Sequence, residues 1–115
     1  MVVEGNGNDK ITAGNGDNLI VAGLGQHTVR AGNGSNILID GSVQLTESGD
    51  SLQQVLADWV QYGDTAANVA SIRSRLAVTY NSDHANTLHA GSGLDWFWYT
   101  YARDKTNRKP GDLLN

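Results

Sequence analysis

The sequence predicts a mainly β fold in which short parallel strands stack as a solenoid, with a pair of amphipathic helices inserted between two stretches of repeats. Glycine pairs return every nine residues between Gly5 and Gly34. Each of these repeats carries an apolar residue at the same place, and a helical pattern of apolar residues follows after residue 50. A fixed period of this kind is typical of a repeat protein in which each unit buries the next.

Four repeat units follow from alignment on the glycines: EGNGNDKIT (4–12), AGNGDNLIV (13–21), AGLGQHTVR (22–30) and AGNGSNILI (31–39). Position eight is always apolar, and positions seven to nine are expected to form a short strand with that side chain turned inward. The first six positions are expected to form a turn, because paired glycines adopt backbone conformations that side chains disfavour.

These units resemble the RTX nonapeptide repeat, Gly-Gly-x-Gly-x-Asp-x-apolar-x, which forms the β-roll of calcium-binding secreted proteins. The chain departs from this pattern at position one, where no unit has glycine, and at position six. Position six is Asp9, Asn18, His27 and Asn36 in the four units.

The resemblance implies that calcium lies between turns two repeats apart, held by backbone carbonyls and position-six carboxylates. Asp9 would then face His27, and Asn18 would face Asn36, so neither pair supplies two carboxylates. Calcium prefers six to eight oxygen ligands, and imidazole nitrogen is a poor one. We therefore expect side-chain amide ladders in place of a tight calcium site, formed at positions three and six by Asn15, Asn18, Asn33 and Asn36.

The β-roll also implies that repeats two and four share a sheet whose outward residues are Leu19, Val21, Ile37 and Ile39. Such an apolar patch needs a cover. The segment SLQQVLADWVQYG supplies one, since Leu52, Val55, Leu56, Trp59 and Val60 define one helical stripe. Asp50 or Ser51 would cap this helix and Gly63 would end it. A second helix would begin at Asp64 or Thr65, and we expect the hairpin to pack on the apolar sheet.

The nine-residue frame returns after the helices as NSDHANTLH (81–89) and AGSGLDWFW (90–98), which place Asp95 at position six and Phe97 at position eight. We therefore expect a single domain over 1–115. Its parts are β-roll repeats (1–42), a helical hairpin insertion (43–78), returning β-roll units (79–101) and a C-terminal tail (102–115).

Two interpretations remain open for Trp96 and Trp98. They are either a carbohydrate-stacking platform or the apolar seal of the roll's end and of the helix contact, and the second is the commoner use of clustered aromatic residues. Asp9 and Asp95 are the residues expected to ligate calcium if the ion binds.

The composition of the chain excludes several classes of function. The net charge of −4 argues against a nucleic-acid partner, the absence of cysteine excludes thiolate chemistry, and no apolar run is long enough to span a bilayer. No metalloprotease spacing of histidines occurs. The chain starts within a repeat and without a leader, so we expect a fragment of a larger protein.

The expected function is a non-enzymatic C-terminal capping and folding module of an extracellular or cell-surface RTX-like protein, with weakened calcium binding. Its expected partners are upstream repeats of the parent chain, or a second copy stacked end to end. The alternative is an adhesion or carbohydrate-binding module that uses an exposed aromatic unit.

Overall fold

The protein is mainly β with two helices, and most of its strands lie in two parallel sheets. The computed structural model describes residues 1–3, 7–81, 85–99, 104–107 and 112–114. The five-stranded sheet contains, in spatial order, β1 (Val2–Val3), β3 (Leu19–Val21), β5 (Asn36–Ile39), β9 (Asp95–Trp98) and β11 (Leu113–Leu114). The four-stranded sheet runs β2 (Lys10–Thr12), β4 (Thr28–Arg30), β8 (Thr87–His89) and β10 (Lys105–Thr106).

Successive repeats alternate between the two sheets, so that neighbours within a sheet are two repeats apart. Lys10 pairs with Thr28 in one sheet, and Leu19 pairs with Ile37 in the other. Equivalent repeat positions are therefore stacked directly on one another. The position-eight side chains of both sheets meet in one buried cluster, which includes Ile11, Ile20, Val29, Leu38, Leu88 and Phe97.

Close stacking explains the glycine at position four of the repeat. Gly34 has φ of +129°, and a Cβ built on it would lie 2.3 Å from the carbonyl oxygen of Gly16 in the turn two repeats earlier. A side chain there would both strain the backbone and collide with the neighbouring turn. The nine-residue glycine period thus reflects contact between turns as well as the shape of each turn.

The helical hairpin contains α1 (Leu52–Tyr62) and α2 (Ala66–Arg75). Ser51 caps α1 by accepting a hydrogen bond from Gln54 N (3.1 Å), and Gly63 with φ of +63° ends it. Thr65 caps α2 in the same way. Within the predicted stripe Val55 and Trp59 are buried, whereas Val60 is 43% exposed and lies outside the packed face.

An antiparallel ribbon joins the helices to the sheets. It consists of β6 (Gly41–Leu45) and β7 (Leu76–Tyr80), which pair along their whole length from Gly41 with Tyr80 to Leu45 with Leu76. The sequence pattern predicts a helical hairpin insertion over 43–78, but both ends of that range belong to this ribbon. The structure places Leu76 at the start of β7, because LAVTY alternates larger apolar with smaller or polar residues as a strand does.

A second buried cluster lies between the five-stranded sheet and the helices. The four residues predicted as the helix-docking face are between 0 and 2% exposed there: Leu19, Val21, Ile37 and Ile39. From the helices this cluster includes Val55, Trp59, Val69 and Ile72. The helices therefore cover the outward face of this sheet, and none of the described helices is long and apolar enough to cross a membrane.

The segment expected to be a tail also contributes strands. Within 102–115 the structure describes residues 104–107 and 112–114, where β10 pairs with β8 and β11 pairs with β9. The sequence pattern predicts a tail here, because the stretch lacks the paired glycines of the earlier units. Asp104 and Asp112 each precede a strand here, which is the arrangement seen at position six of the earlier units.

Candidate metal sites in the turns

The position-six residues form two rows, each running along one sheet at the start of its strands. The asparagine row accompanies the five-stranded sheet and contains Asn18, Asn36, Asp95 and Asp112. The histidine row accompanies the four-stranded sheet and contains Asp9, His27, Asn86 and Asp104. Asp9 and Asp95, the two predicted calcium ligands, thus lie in different rows and do not form one site.

Hydrogen bonds connect each member of the asparagine row to the next member. The backbone N and side-chain Nδ2 of Asn18 both donate to Asn36 Oδ1, at 3.0 and 3.1 Å. The same two groups of Asn36 donate to Asp95 Oδ1, at 3.2 and 2.8 Å. The backbone N of Asp95 then donates to Asp112 Oδ1 at 3.2 Å. The row therefore begins with two carboxamides and ends with two carboxylates.

Each carboxamide nitrogen also donates to carbonyl oxygens of its own turn. Asn18 Nδ2 lies 3.1 Å from Gly14 O and 3.0 Å from Gly16 O. Asn36 Nδ2 lies 3.1 Å from Gly32 O and 3.3 Å from Gly34 O. Backbone carbonyls are hard oxygen donors of the kind that calcium takes. Because N–H groups already face these oxygens, the turns of Asn18 and Asn36 do not fit a calcium ion.

Position three uses a different arrangement. Asn15 Oδ1 accepts a hydrogen bond from Asn33 N (3.0 Å), and Asn33 Oδ1 accepts one from Ser92 N (2.8 Å). These contacts join a side chain to the backbone of the following repeat in the same sheet, whereas those of Asn18 and Asn36 also join side chain to side chain.

The end of the asparagine row does fit calcium. Asp95 is fully buried and Asp112 is 6% exposed. A carboxylate has no N–H to donate to the carbonyls of its turn, and a buried carboxylate needs compensation for its charge. Two carboxylates in successive units of one row offer the charged oxygen ligands that calcium prefers. Sequence reasoning missed Asp112, because only the leucines after it follow the nonapeptide pattern and the glycine before it stands at position five instead of four.

The start of the histidine row does not fit calcium. His27 Nδ1 lies 3.5 Å from Asp9 Oδ2, and the His27 side chain is fully buried. Among the described residues neither ring nitrogen has a hydrogen-bond partner. Imidazole offers nitrogen where a calcium ion takes oxygen, so Asp9 is left as a single carboxylate. Within the described part of the chain no three histidine, cysteine, aspartate or glutamate side chains form a group that could hold a metal.

The other end of the histidine row contacts a buried carboxyl group that sequence reasoning missed. Asn86 Nδ2 donates to both side-chain oxygens of Asp40 at 3.0 Å, and Asn86 N donates to Asp104 Oδ1 at 2.9 Å. Burial, together with the hydrogen bond and charge of Asp104, raises the pKa of Asp40 to about 8. Asn81 Nδ2 lies 3.4 Å from Asp40 Oδ1 and also donates to Gly25 O.

Trp96 and Trp98 are 0 and 3% exposed, so neither presents a ring face to a ligand. The ring centroids of Trp96 and Trp98 are 5.0 Å apart, and those of Trp59 and Trp96 are 5.2 Å apart. The guanidinium of Arg73 lies over Trp96 at 5.7 Å. These side chains belong to the core beneath the helices.

Comparison with known proteins agrees with the repeat pattern. The family described as the RTX calcium-binding nonapeptide repeat (4 copies) matches residues 5–29. This family is a structural calcium-binding repeat and not a family of enzymes. Searches of curated proteins and of solved structures each found no match. The match confirms that residues 5–29 resemble RTX nonapeptide repeats, and calcium is the ion associated with that family.

Proposed function

We propose that the chain is a non-enzymatic β-roll module that caps and helps to fold a larger extracellular RTX-like protein, and that its calcium site lies at Asp95 and Asp112. The two parallel sheets support a β-roll, because successive repeats alternate between them and share one interior. The helices, packed on one outward face, support a capping role, since solenoids need their apolar surfaces covered.

The observation that carries the calcium assignment is the change of chemistry along the asparagine row. Asn18 and Asn36 neutralise the carbonyls of their turns with N–H donors, but Asp95 and Asp112 have no such donors. Calcium would supply the positive charge there, and its ligands would be the two carboxylates with backbone carbonyls of the surrounding turns. Binding to the native state alone would convert metal-binding energy into folding energy.

The opposite end of the roll is the surface proposed for upstream repeats. β1 and β2 are the first strands of their sheets, and Val3 is 60% exposed. A Cβ on Gly14 would meet no described atom within 4 Å, whereas a Cβ on the equivalent Gly32 would lie 2.4 Å from Asn15 Oδ1. No contact with described residues explains why position 14 is glycine. Its lack of a side chain would be explained by an upstream repeat stacked on this turn. A second copy of the chain is the other occupant of this surface.

The alternative function, adhesion through an exposed aromatic unit, has no comparable support. Its two proposed stacking residues lie in the core beneath the helices. We therefore do not propose a carbohydrate ligand.

Thermal unfolding followed by circular dichroism tests the calcium site. The wild-type protein is expected to melt at a higher temperature in calcium than in chelator. At a calcium concentration of about 100 times Kd, binding should add about 2.7 kcal/mol to the free energy of unfolding. In Asp95→Asn/Asp112→Asn this difference should disappear. The matched control Asp17→Asn/Asp64→Asn removes two exposed carboxylates and should keep it.

Identical wild-type melts in calcium and chelator would contradict calcium binding. A calcium response that survives in Asp95→Asn/Asp112→Asn would contradict its assigned place in the fold.

A further inference from the structure

The carboxamide nitrogens of Asn18 and Asn36 each lie within a group of three oxygens. Around Asn18 Nδ2 these are Gly14 O, Gly16 O and Asn36 Oδ1, at 3.0 to 3.1 Å. Around Asn36 Nδ2 they are Gly32 O, Gly34 O and Asp95 Oδ1, at 2.8 to 3.3 Å. Two successive turns of the row thus repeat one arrangement, in which several oxygens point at one positively polarised group.

We propose that these two carboxamide nitrogens replace a bound cation, so that their turns close without calcium, and that a change from carboxamide to carboxylate converts each turn into a cation site. The –NH2 group carries two polarised hydrogens and offers them to three oxygens. It therefore gives these oxygens, from within the chain, the partial positive charge of its N–H hydrogens in place of a metal ion.

Replacing the side-chain nitrogen at position six with oxygen is enough to change the chemistry of the turn. Aspartate has almost the shape of asparagine but accepts hydrogen bonds and donates none when ionised. With aspartate at position 18, oxygen atoms alone would converge on the centre of the turn. Converging oxygens without a donor are unfavourable when partly buried, and they are the ligand set that a hard cation such as calcium prefers.

The third repeat contains independent support. Its own position six is His27, whose ring nitrogens form no hydrogen bond with described residues. Here an amide comes from another part of the chain, because Asn81 Nδ2 donates to Gly25 O. Gly25 stands at position four of its repeat, as Gly16 and Gly34 do in theirs. Three turns thus satisfy the same carbonyl with a carboxamide, and one of them takes it from beyond the helical hairpin.

The test compares Asn18→Asp/Asn36→Asp with Asn15→Asp/Asn33→Asp. Both variants have the same composition and net charge, and all four changes lie in turns of the same two repeats. At position three the Oδ1 atoms accept from backbone N–H groups, which aspartate can do equally well. Calcium binding is measured by isothermal titration calorimetry, and melting temperatures are measured in calcium and in chelator.

We expect Asn18→Asp/Asn36→Asp to melt below the wild-type protein in chelator, to recover in calcium, and to bind more calcium per chain than the wild-type protein does. Asn15→Asp/Asn33→Asp should bind the wild-type amount. Equal calcium binding by the two variants, or an unchanged melt of Asn18→Asp/Asn36→Asp in chelator, would overturn the inference.

Asn36 contacts Asp95, so a carboxylate at position 36 brings two carboxylates together and the double variant has a risk of not folding. Asn18→Asp alone, compared with Asn15→Asp, then decides, because the neighbour of Asn18 remains an asparagine. The inference fails if Asn18→Asp melts like the wild-type protein in chelator. The number of calcium ions bound per chain is compared between the variant and the wild-type protein. The result therefore does not depend on whether Asp95 and Asp112 bind the ion.

Discussion

A carboxamide and a carboxylate have nearly the same shape, but only the carboxamide carries N–H donors. That difference separates the two ends of the asparagine row. Asn18 and Asn36 satisfy the glycine carbonyls around them, whereas Asp95 at the equivalent place accepts hydrogen bonds from Asn36. We infer that the atom at this place decides how the turn is stabilised. A side-chain nitrogen closes the turn by donating to its carbonyls, whereas an oxygen leaves a site suited to a cation.

Asp40 gives a prediction at the scale of one residue. Its pKa is raised to about 8 in the folded protein, by burial and by Asp104, from 3.8 for the ordinary carboxyl group. Between these values the native state binds a proton that the unfolded chain has lost, so stability falls as pH rises through this window. Asp40→Asn supplies a permanent donor in place of the proton. The variant should therefore melt several degrees higher than the wild-type protein at pH 8.

Melting temperatures measured by circular dichroism between pH 5 and pH 8, in chelator, check this expectation. The advantage of Asp40→Asn should shrink toward pH 5, where the wild-type carboxyl group is protonated. Glu47→Gln removes an exposed carboxylate and serves as the control for charge. A variant that melts below the wild-type protein at pH 8 would contradict the prediction.

At the scale of the element, the turn of each repeat is defined by contact with the turn beneath it. Gly14 and Gly32 occupy the same repeat position, and neither has φ in the left-handed region. A Cβ on Gly32 would lie 2.4 Å from Asn15 Oδ1 and 2.8 Å from Asn15 N, whereas a Cβ on Gly14 would meet no atom of the described residues within 4 Å. The pair therefore isolates the effect of stacking from that of backbone conformation.

We expect Gly32→Ala to lower the free energy of unfolding by about 1–3 kcal/mol, because the added methyl group overpacks a rigid contact. Gly14→Ala should stay within about 0.5 kcal/mol of the wild-type protein. Urea denaturation measures both values. In a chain extended by further upstream repeats, Gly14→Ala should become as costly as Gly32→Ala. If it remains neutral there, the upstream repeats do not stack on this turn.

At the scale of the whole molecule, the protein has two cores that share the five-stranded sheet. One lies between the sheets and contains Ile20 and Leu38, and the other lies under the helices and contains Leu19 and Ile37. Alternate residues of the same strands thus face different cores. The helical hairpin is required because an apolar outward face of this size would otherwise contact water.

Ile37→Lys tests this architecture. The change places a charge in the core beneath the helices, where Ile37 is fully buried, and should destabilise the protein by more than about 3 kcal/mol. All three tryptophans lie in this core, so their fluorescence should shift toward that of exposed indole. Thr28→Lys, on the outward face of the four-stranded sheet, should change stability by less than about 1 kcal/mol. Equal effects of the two changes would contradict the assigned cover.

The sequence alone determined the features that follow from the nine-residue period. These are the turns, the inward-facing side chain at position eight, and the alternation that places Leu19 and Ile37 on one apolar face. These features repeat because each unit meets the same local geometry. The tertiary structure alone decided which position-six residues meet. Asn36 contacts Asp95, 59 residues away, because the ribbon of β6 and β7 returns the chain to the parallel sheets in register. The partners of Asp40 and the strand after Asp112 depend on the same long-range register, which no local pattern encodes.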